Sequence, residues 1–273
     1  MMRRELSRQL LLSAKLRLLR MHFEAGVGHI GGNLSALDIL MSLYHDALKP
    51  DDAFVLSKGH AAGAWYVALW SMGVLGEDDL KTFHRDATRL SGHPPCGGID
   101  SILFATGSLG HGPGLASGLA LAKRLQGKSG RVFCLTSDGE WNEGSCWETL
   151  IFAGHHRLAN LTLIVDLNGL QGFGTTREVA DLGSLAEKFR AFGWRVLEVD
   201  GHDIAALHAA LQPPSAPDVI GPSVILANTR KGCGVSFMEG RMEWHYLPLN
   251  QAQYAQAVRD IEQGVARPAG EGE

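Results

Sequence analysis

Asp138 and Asn168 stand 30 residues apart, each at the end of an apolar run: RVFCLT (131–136) leads into SDGEWNEG, and LTLIVD (161–166) into LNGLQ. A carboxylate, a side-chain amide oxygen and a backbone carbonyl suit a hard divalent cation, which takes oxygen ligands and often shares them with phosphate oxygens. Asp138, Asn168 and the carbonyl of Leu170 offer that set, and Gly139 leaves room for a phosphate against the backbone. A second group of residues points the same way. Six of the twelve histidines directly follow a glycine (His29, His60, His93, His111, His155 and His202), more than chance placement of 34 glycines would give. Glycine permits sharp turns and close approach to a ligand, and histidine supplies donors or a proton. His155 and His202 are read as plain turn residues with exposed rings.

Placing these residues requires strands that end side by side. The runs 53–57, 131–136, 161–166, 194–199 and 223–228 are rich in Val, Ile and Leu. Helical patterns lie between them, notably Gly114–Leu125, Asn142–His156 and Ile204–Leu211. Unbroken apolar strands alternating with helices predict an α/β fold, a mostly parallel sheet with helices on both faces, whose ligands sit at the carboxyl ends of the strands. One β-α-β crossover would set Asp138 beside Asn168. Gly26 ends a first helix, PPSAP (213–217) is a short loop, and after Asn228 the chain is irregular until a polar helix from about Gln251 and a Gly-rich tail. Residues 1–273 read as one domain.

Composition excludes other classes. The formal net charge is −4, with 45% hydrophobic and 20% charged residues, so neither nucleic acid nor an anionic membrane is expected as partner. Cys96, Cys134, Cys146 and Cys233 form no CxxC pair, so no zinc site or disulfide framework is indicated, and reduced thiols in a cytoplasmic protein are expected. The Arg-rich start lacks a secretory apolar stretch and reads as the first helix rather than a transit peptide, and no window reaches membrane-span length. A GxGxxG opening the fold is absent, against a nicotinamide enzyme.

Asp-Gly followed 30 residues later by Asn resembles the thiamine-diphosphate motif, and its neighbours make the resemblance specific. DGEWNEGSCWETLIFAGHHRLANLTLIVDLNGLQ, GHIGGNLSALDIL (28–40), VLSKGHAAGAWYVAL (55–69), SGHP (91–94), ATGSLGHGPGLASGLALAKRL (105–125) and KGCGVSFMEG (231–240) are similar, in order, to the transketolase family and to its two-subunit members. The resemblance spans about residues 5–246. It implies thiamine diphosphate with Mg²⁺ (or Ca²⁺ or Mn²⁺) held by Asp138, Asn168 and Leu170. His60, Gly107, Ser108, Leu109, Gly139 and Glu143 would lie at the cofactor, Glu143 linking the two cofactor sites of a dimer. His29, His93 and, less firmly aligned, His245 would face the substrate. His111 stands where one-chain relatives often have Gln, and Glu148 reads as a structural charge.

Ser137 replaces the first Gly of the family's GDG, tolerable if extended, and Leu167 precedes Asn168 where many relatives have Asn. QGFG (171–174) and EWHYLPL (243–249) depart near the substrate. The resemblance further implies ketol transfer from a ketose to an aldose, with a sugar phosphate or related small molecule as substrate. The pyrimidine-binding and C-terminal domains, including the glutamate that activates the cofactor, would belong to a partner chain, in a heterotetramer of two chains of each kind. Three alternatives stay open: a transketolase-like subunit serving a specialised sugar or secondary-metabolite pathway, a non-catalytic binding or regulatory subunit, and the α subunit of a 2-oxo-acid dehydrogenase, disfavoured by the density of Gly-His loops.

Overall fold

The computed structural model describes residues 6–213 and 221–264. All but the first residue of PPSAP, and the Gly-rich tail beyond Gly264, lie outside the described residues. The helices are α1 (Arg8–Ala25), α2 (Ile30–Ser42), α3 (Ala62–Ser71), α4 (Glu77–Leu80), α5 (His111–Leu125), α6 (Gly144–His155), α7 (Thr176–Ala180), α8 (Leu185–Ala191), α9 (Ile204–Leu211) and α10 (Gln251–Gln263). The strands are β1 (Ala53–Leu56), β2 (Val132–Ser137), β3 (Leu161–Leu167), β4 (Leu170–Gln171), β5 (Gly174–Thr175), β6 (Arg195–Asp200) and β7 (Ser223–Asn228). Five strands form an all-parallel sheet in the order β1-β2-β3-β7-β6, and β4-β5 is a small antiparallel hairpin.

Alternation along the strands feeds two cores. Phe133 and Leu135 of β2 and Ile164 of β3 pack into the core that includes residues of α1, α2, α3, α9 and α10. Val132 and Cys134 of β2, with Leu161, Leu163 and Val165 of β3, pack into the core on the other face, with residues of α5, α6 and α8. Both faces are covered, as the unbroken apolar runs require. Expected and observed boundaries agree within a residue or two, except that α5 begins at His111, a turn earlier than Gly114. Gly26 ends α1 in the left-handed conformation at φ 66°, and Ser137 is the extended last residue of β2. Helix α2 gives no helical period in the sequence because all thirteen of its residues are buried, so it has no polar face to set against an apolar one. Among the described residues no helix is long and apolar enough to cross a membrane.

His202 corrects the sequence reading. Its ring is not exposed: Nδ1 lies 2.8 Å from Asp38 Oδ2, and Nε2 accepts from the Arg230 N–H at 2.9 Å. Cys233 completes a cluster whose possible ligand atoms lie within 4.8 Å of one another. Both ring nitrogens are engaged and Lys15 Nζ sits 3.1 Å from Asp38 Oδ1; the cluster therefore ties α2 to the loops after β6 and β7 and leaves no free imidazole lone pair for a metal. His155 is exposed, as expected, at the end of α6.

At the carboxyl end of the sheet, Lys58 and Asp166 form an ion pair of 2.6 Å with side chains 1% and 0% exposed. Asp166 Oδ2 also accepts from Ser35 Oγ at 2.7 Å, while Oδ1 accepts from Thr229 Oγ1 and from Asn168 Nδ2. Lys58 Nζ donates further to Gly32 O at 2.8 Å and Ser35 Oγ at 3.1 Å. Burial pushes the Asp166 carboxyl up, but Lys58 and these donors overcome it and hold it below the usual range. Removing one partner of a buried pair leaves the other charge uncompensated, at about 3–5 kcal/mol. Lys58→Met is expected to lower the unfolding free energy by about that amount, read from urea transitions by circular dichroism. A midpoint unchanged from wild type would show that the pair does not hold the sheet's carboxyl end together.

Candidate active site

The strand-end residues open onto a cleft of about 310 Å³ lined by His29, Lys58, His60, His93, Gly107, Leu109, Ser137, Asp138, Gly139, Asn168, Leu170, Gln171, Gly172, Phe173, Lys231, His245 and Tyr246. Parallel pairing of β2 with β3 puts Ser137 opposite Asp166, and the Asp138 N–H donates to Asp166 O at 3.2 Å. Asp138 and Asn168 are thereby adjacent, as their placement in the sequence predicts. Asp138 Oδ1 accepts from Gly139 N at 2.8 Å and Oδ2 from Gly169 N at 2.6 Å. Asn168 Oδ1 accepts from Leu170 N at 3.1 Å.

This pocket fits the implied metal and diphosphate on its own chemistry. Burial, then the neighbouring Asp166 carboxylate, push Asp138 up to about 6, a cost that a cation would relieve. Each Asp138 oxygen keeps a lone pair beyond its one backbone donor. Gln171 Nε2 is buried without a protein partner among the described residues, a donor suited to an anionic oxygen. Gln171 gives Gly139 a further reason: a Cβ there would meet Gln171 Cβ at 2.9 Å. Glycine at 139 therefore admits the hairpin side chain.

Four histidines gather in the same cleft. The His29 ring centroid lies 5.5 Å from that of His60, 6.0 Å from His93 and 5.2 Å from His245, and His60 lies 5.2 Å from His245. Non-adjacent Gly-His steps, far apart in sequence, thus converge. His29 is held at φ 65°, a left-handed conformation rare for a side chain, and its N–H donates to His245 O at 3.1 Å. Burial, then His93, lower the His29 pKa to about 4; burial, then Lys231, lower His245 to about 3. Burial also holds His60 well below the ordinary value. Lys231, brought to about 8 by burial and then by Lys58, places Nζ 3.1 Å from His245 Nδ1. Its ammonium donates to that nitrogen, which leaves the proton of the neutral ring on Nε2.

The other expected residues divide. Gly107 and Leu109 line the cleft; Ser108 is exposed on the same loop and Glu143 is exposed at the start of α6, neither among the cleft-lining residues. Glu148 is exposed on α6 and His111 on α5. A Cβ on Gly107 (φ 144°) would meet the His93 ring at 3.1 Å, and one on Gly59 would meet Gly107 N at 2.8 Å. Tyr246 Oη donates to Gly172 O at 2.9 Å, joining the EWHY segment to the QGFG hairpin. Nothing in the sequence alone marks Lys58, Asp166, Lys231 or the buried Glu140, and Gln171 is marked only as part of the departing QGFG segment. Lys58 and Asp166 are 108 residues apart, and only the fold pairs them.

An ordinary histidine is mostly charged below pH 6. His29 and His245 are expected to remain neutral at pH 5.5 in ¹H–¹⁵N spectra of the imidazoles. The unfolded chain takes up protons near pH 6.5 that these folded rings refuse. Their contribution to stability is therefore complete above about 6.5 and is lost as pH falls toward 4. Titration of both rings near 6.5 would contradict their enclosure.

Comparison with known proteins agrees with this geometry. Residues 9–263 match the model of the transketolase, thiamine diphosphate binding domain, family. The chain is 36% identical over 260 residues to one subunit of an apulose-4-phosphate transketolase from Phocaeicola vulgatus, covering 92% of each. It is 38% identical over 247 residues to a 6-deoxy-6-sulfo-D-fructose transketolase subunit of a Clostridium species, covering 87% of this chain and 89% of that one. Transketolase from Leishmania mexicana superposes with a TM-score of 0.86 at 26% identity over 95% of this chain, which spans 42% of that longer protein. With its parallel sheet, its strand-end carboxylate and amide, and a family match over most of its length, the chain belongs to the transketolase family, as a transferase subunit built on the thiamine diphosphate binding domain.

Proposed function

We propose that the chain is the N-terminal subunit of a two-subunit transketolase, a single domain over residues 1–273 that binds thiamine diphosphate and Mg²⁺ and transfers a two-carbon ketol unit from a ketose to an aldose. The observation that carries this is the juxtaposition of Asp138 and Asn168 in a cleft that His29, His60, His93 and His245 also line. Asp138, Asn168 and the Leu170 carbonyl would hold the metal; His60, Gly107, Ser108, Leu109, Gly139 and Gln171 would hold the cofactor. When bound, thiamine diphosphate supplies the electron sink that lets the ketose C2–C3 bond break. His29, His93 and His245 orient the donor's carbonyl and hydroxyl oxygens and exchange protons with them.

The cleft is open, and Phe173 is 84% exposed at its rim, beside the exposed Tyr246 and Leu247. Apolar side chains grouped at a site usually mark a contact surface. A partner carrying the pyrimidine-binding domain would cover this rim and supply the glutamate that activates the cofactor. Two chains of each kind would form the cytoplasmic heterotetramer, with Glu143 bridging the cofactor sites. A second reading, a specialised sugar substrate, is favoured by the Tyr246–Gly172 lock on the QGFG hairpin and by the activities for which the two bacterial relatives are named. Apulose 4-phosphate and a sulfonated fructose are the donors to try first.

Asp138→Asn and Asn168→Leu are expected to abolish Mg²⁺-dependent thiamine diphosphate binding in calorimetric titration while far-UV circular dichroism stays unchanged. Wild-type affinity in both variants would remove the two residues from the metal site. His29→Ala and His93→Ala are expected to lower turnover by about 10²–10⁴-fold with cofactor affinity nearly intact. Normal turnover at saturating cofactor would show that neither ring serves the substrate.

A further inference from the structure

Glu140 follows the candidate metal ligand by two residues, yet it does not line the cleft and is 0% exposed. Three donors from three separate loops converge on its carboxylate. Ser57 Oγ, at the end of β1, donates to Oε1; the Gly110 N–H, at the start of α5, donates to the same oxygen at 2.7 Å; and the Ser137 N–H, at the end of β2, donates to Oε2 at 3.2 Å. Ser57 Oγ in turn accepts from Gly112 N at 3.1 Å. A Cβ on Gly112 would collide with Ser57 Cβ, so that contact is as close as the backbone permits. All the donors are neutral, and among the described residues no Lys, Arg or His forms an ion pair with Glu140.

These loops are the ones that border the cleft. Ser57 precedes Lys58 and His60, Gly110 closes the loop that contributes Gly107 and Leu109, and Ser137 precedes Asp138. We infer that Glu140 is a positioning residue for the cofactor: its buried carboxylate fixes the 107–110 loop at the start of α5 and the 57–60 segment against the end of β2, next to Asp138. This rests on the reading of the cleft as a diphosphate site. A carboxylate is needed because it alone is acceptor-only on both oxygens. A glutamine of the same shape would set its NH₂ against either the Gly110 or the Ser137 N–H, whichever way the amide is turned, and leave a buried donor unsatisfied. Glu140 touches no reacting atom, so its effect passes wholly through the loops.

Glu140→Gln is the direct test, made on the purified chain alone and with its partner subunit. Amide hydrogen exchange at Gly110 is expected to accelerate while exchange in β2 and β3 stays slow. Thiamine diphosphate affinity is expected to fall by about tenfold or more, which is about 1.4 kcal/mol per decade, while the Mg²⁺ concentration giving half-maximal cofactor binding is unchanged when the cofactor is held at the same multiple of each protein's own Kd. Ser57→Ala, which removes one donor and keeps the carboxylate, should give the same pattern at smaller amplitude, and it serves if the glutamine variant fails to fold. A general structural defect would move the metal dependence and the core amides as well. Wild-type Gly110 exchange together with wild-type cofactor affinity in a folded Glu140→Gln protein would overturn the inference. If wild-type protein itself binds no thiamine diphosphate, the functional reading fails, and Gly110 exchange alone then decides whether Glu140 holds the loop.

Discussion

The carboxyl end of the sheet depends on one buried charge. Asp166, wholly enclosed, accepts from Lys58, Ser35, Thr229 and Asn168, and so binds the ends of β1, β3 and β7 to helix α2. An uncompensated carboxylate there would cost several kcal/mol, and Lys58 is what makes it tolerable. The arrangement orients Asn168 through its Nδ2, and β2–β3 pairing then fixes Asp138 beside it. Asn168 is oriented directly by that interaction.

Above the floor, the fold uses burial to keep histidine neutral. His29 lies within 6.0 Å of three other imidazoles; charged, the group would repel strongly, and desolvation removes the charge instead. Neutral rings can donate and accept, which suits hydroxyl and carbonyl oxygens better than a cluster of cations would. Lys231, in the same cleft, donates to His245 Nδ1, and the Tyr246–Gly172 hydrogen bond joins the two adjacent segments. The rim is another matter. Phe173, Tyr246 and Leu247 are exposed, so the cleft has a floor and walls but an open side.

Much of this is legible in the sequence. The Val/Ile/Leu runs announce buried parallel strands, and Asp138 and Asn168 at their ends announce the floor of the site. The Gly-His steps announce loops that converge, and for His29, His60 and His93 they do. What escapes shares a physical cause: it depends on pairing across space. Lys58 reads as a basic residue beside a histidine, Asp166 as the last residue of a strand, and Glu140 as one acid among three in a loop. His202 follows a glycine and reads as a turn, but the fold brings Asp38 of α2 to its ring. Helix α2, buried on every side, has no period to see. Gly139, read from the sequence for its ligand side alone, also has a packing reason in Gln171 that only the fold reveals.

The central claim, that this cleft is half of a ketol-transferring site, is tested most directly by mixing. The purified chain, shown by mass spectrometry to carry no other polypeptide, would be assayed for ketose cleavage with Mg²⁺ and thiamine diphosphate, then titrated with a chain bearing a pyrimidine-binding domain. The account predicts no turnover alone and activity that rises in proportion to complex formed, saturating at one such chain per chain. Robust turnover by the chain alone would contradict it.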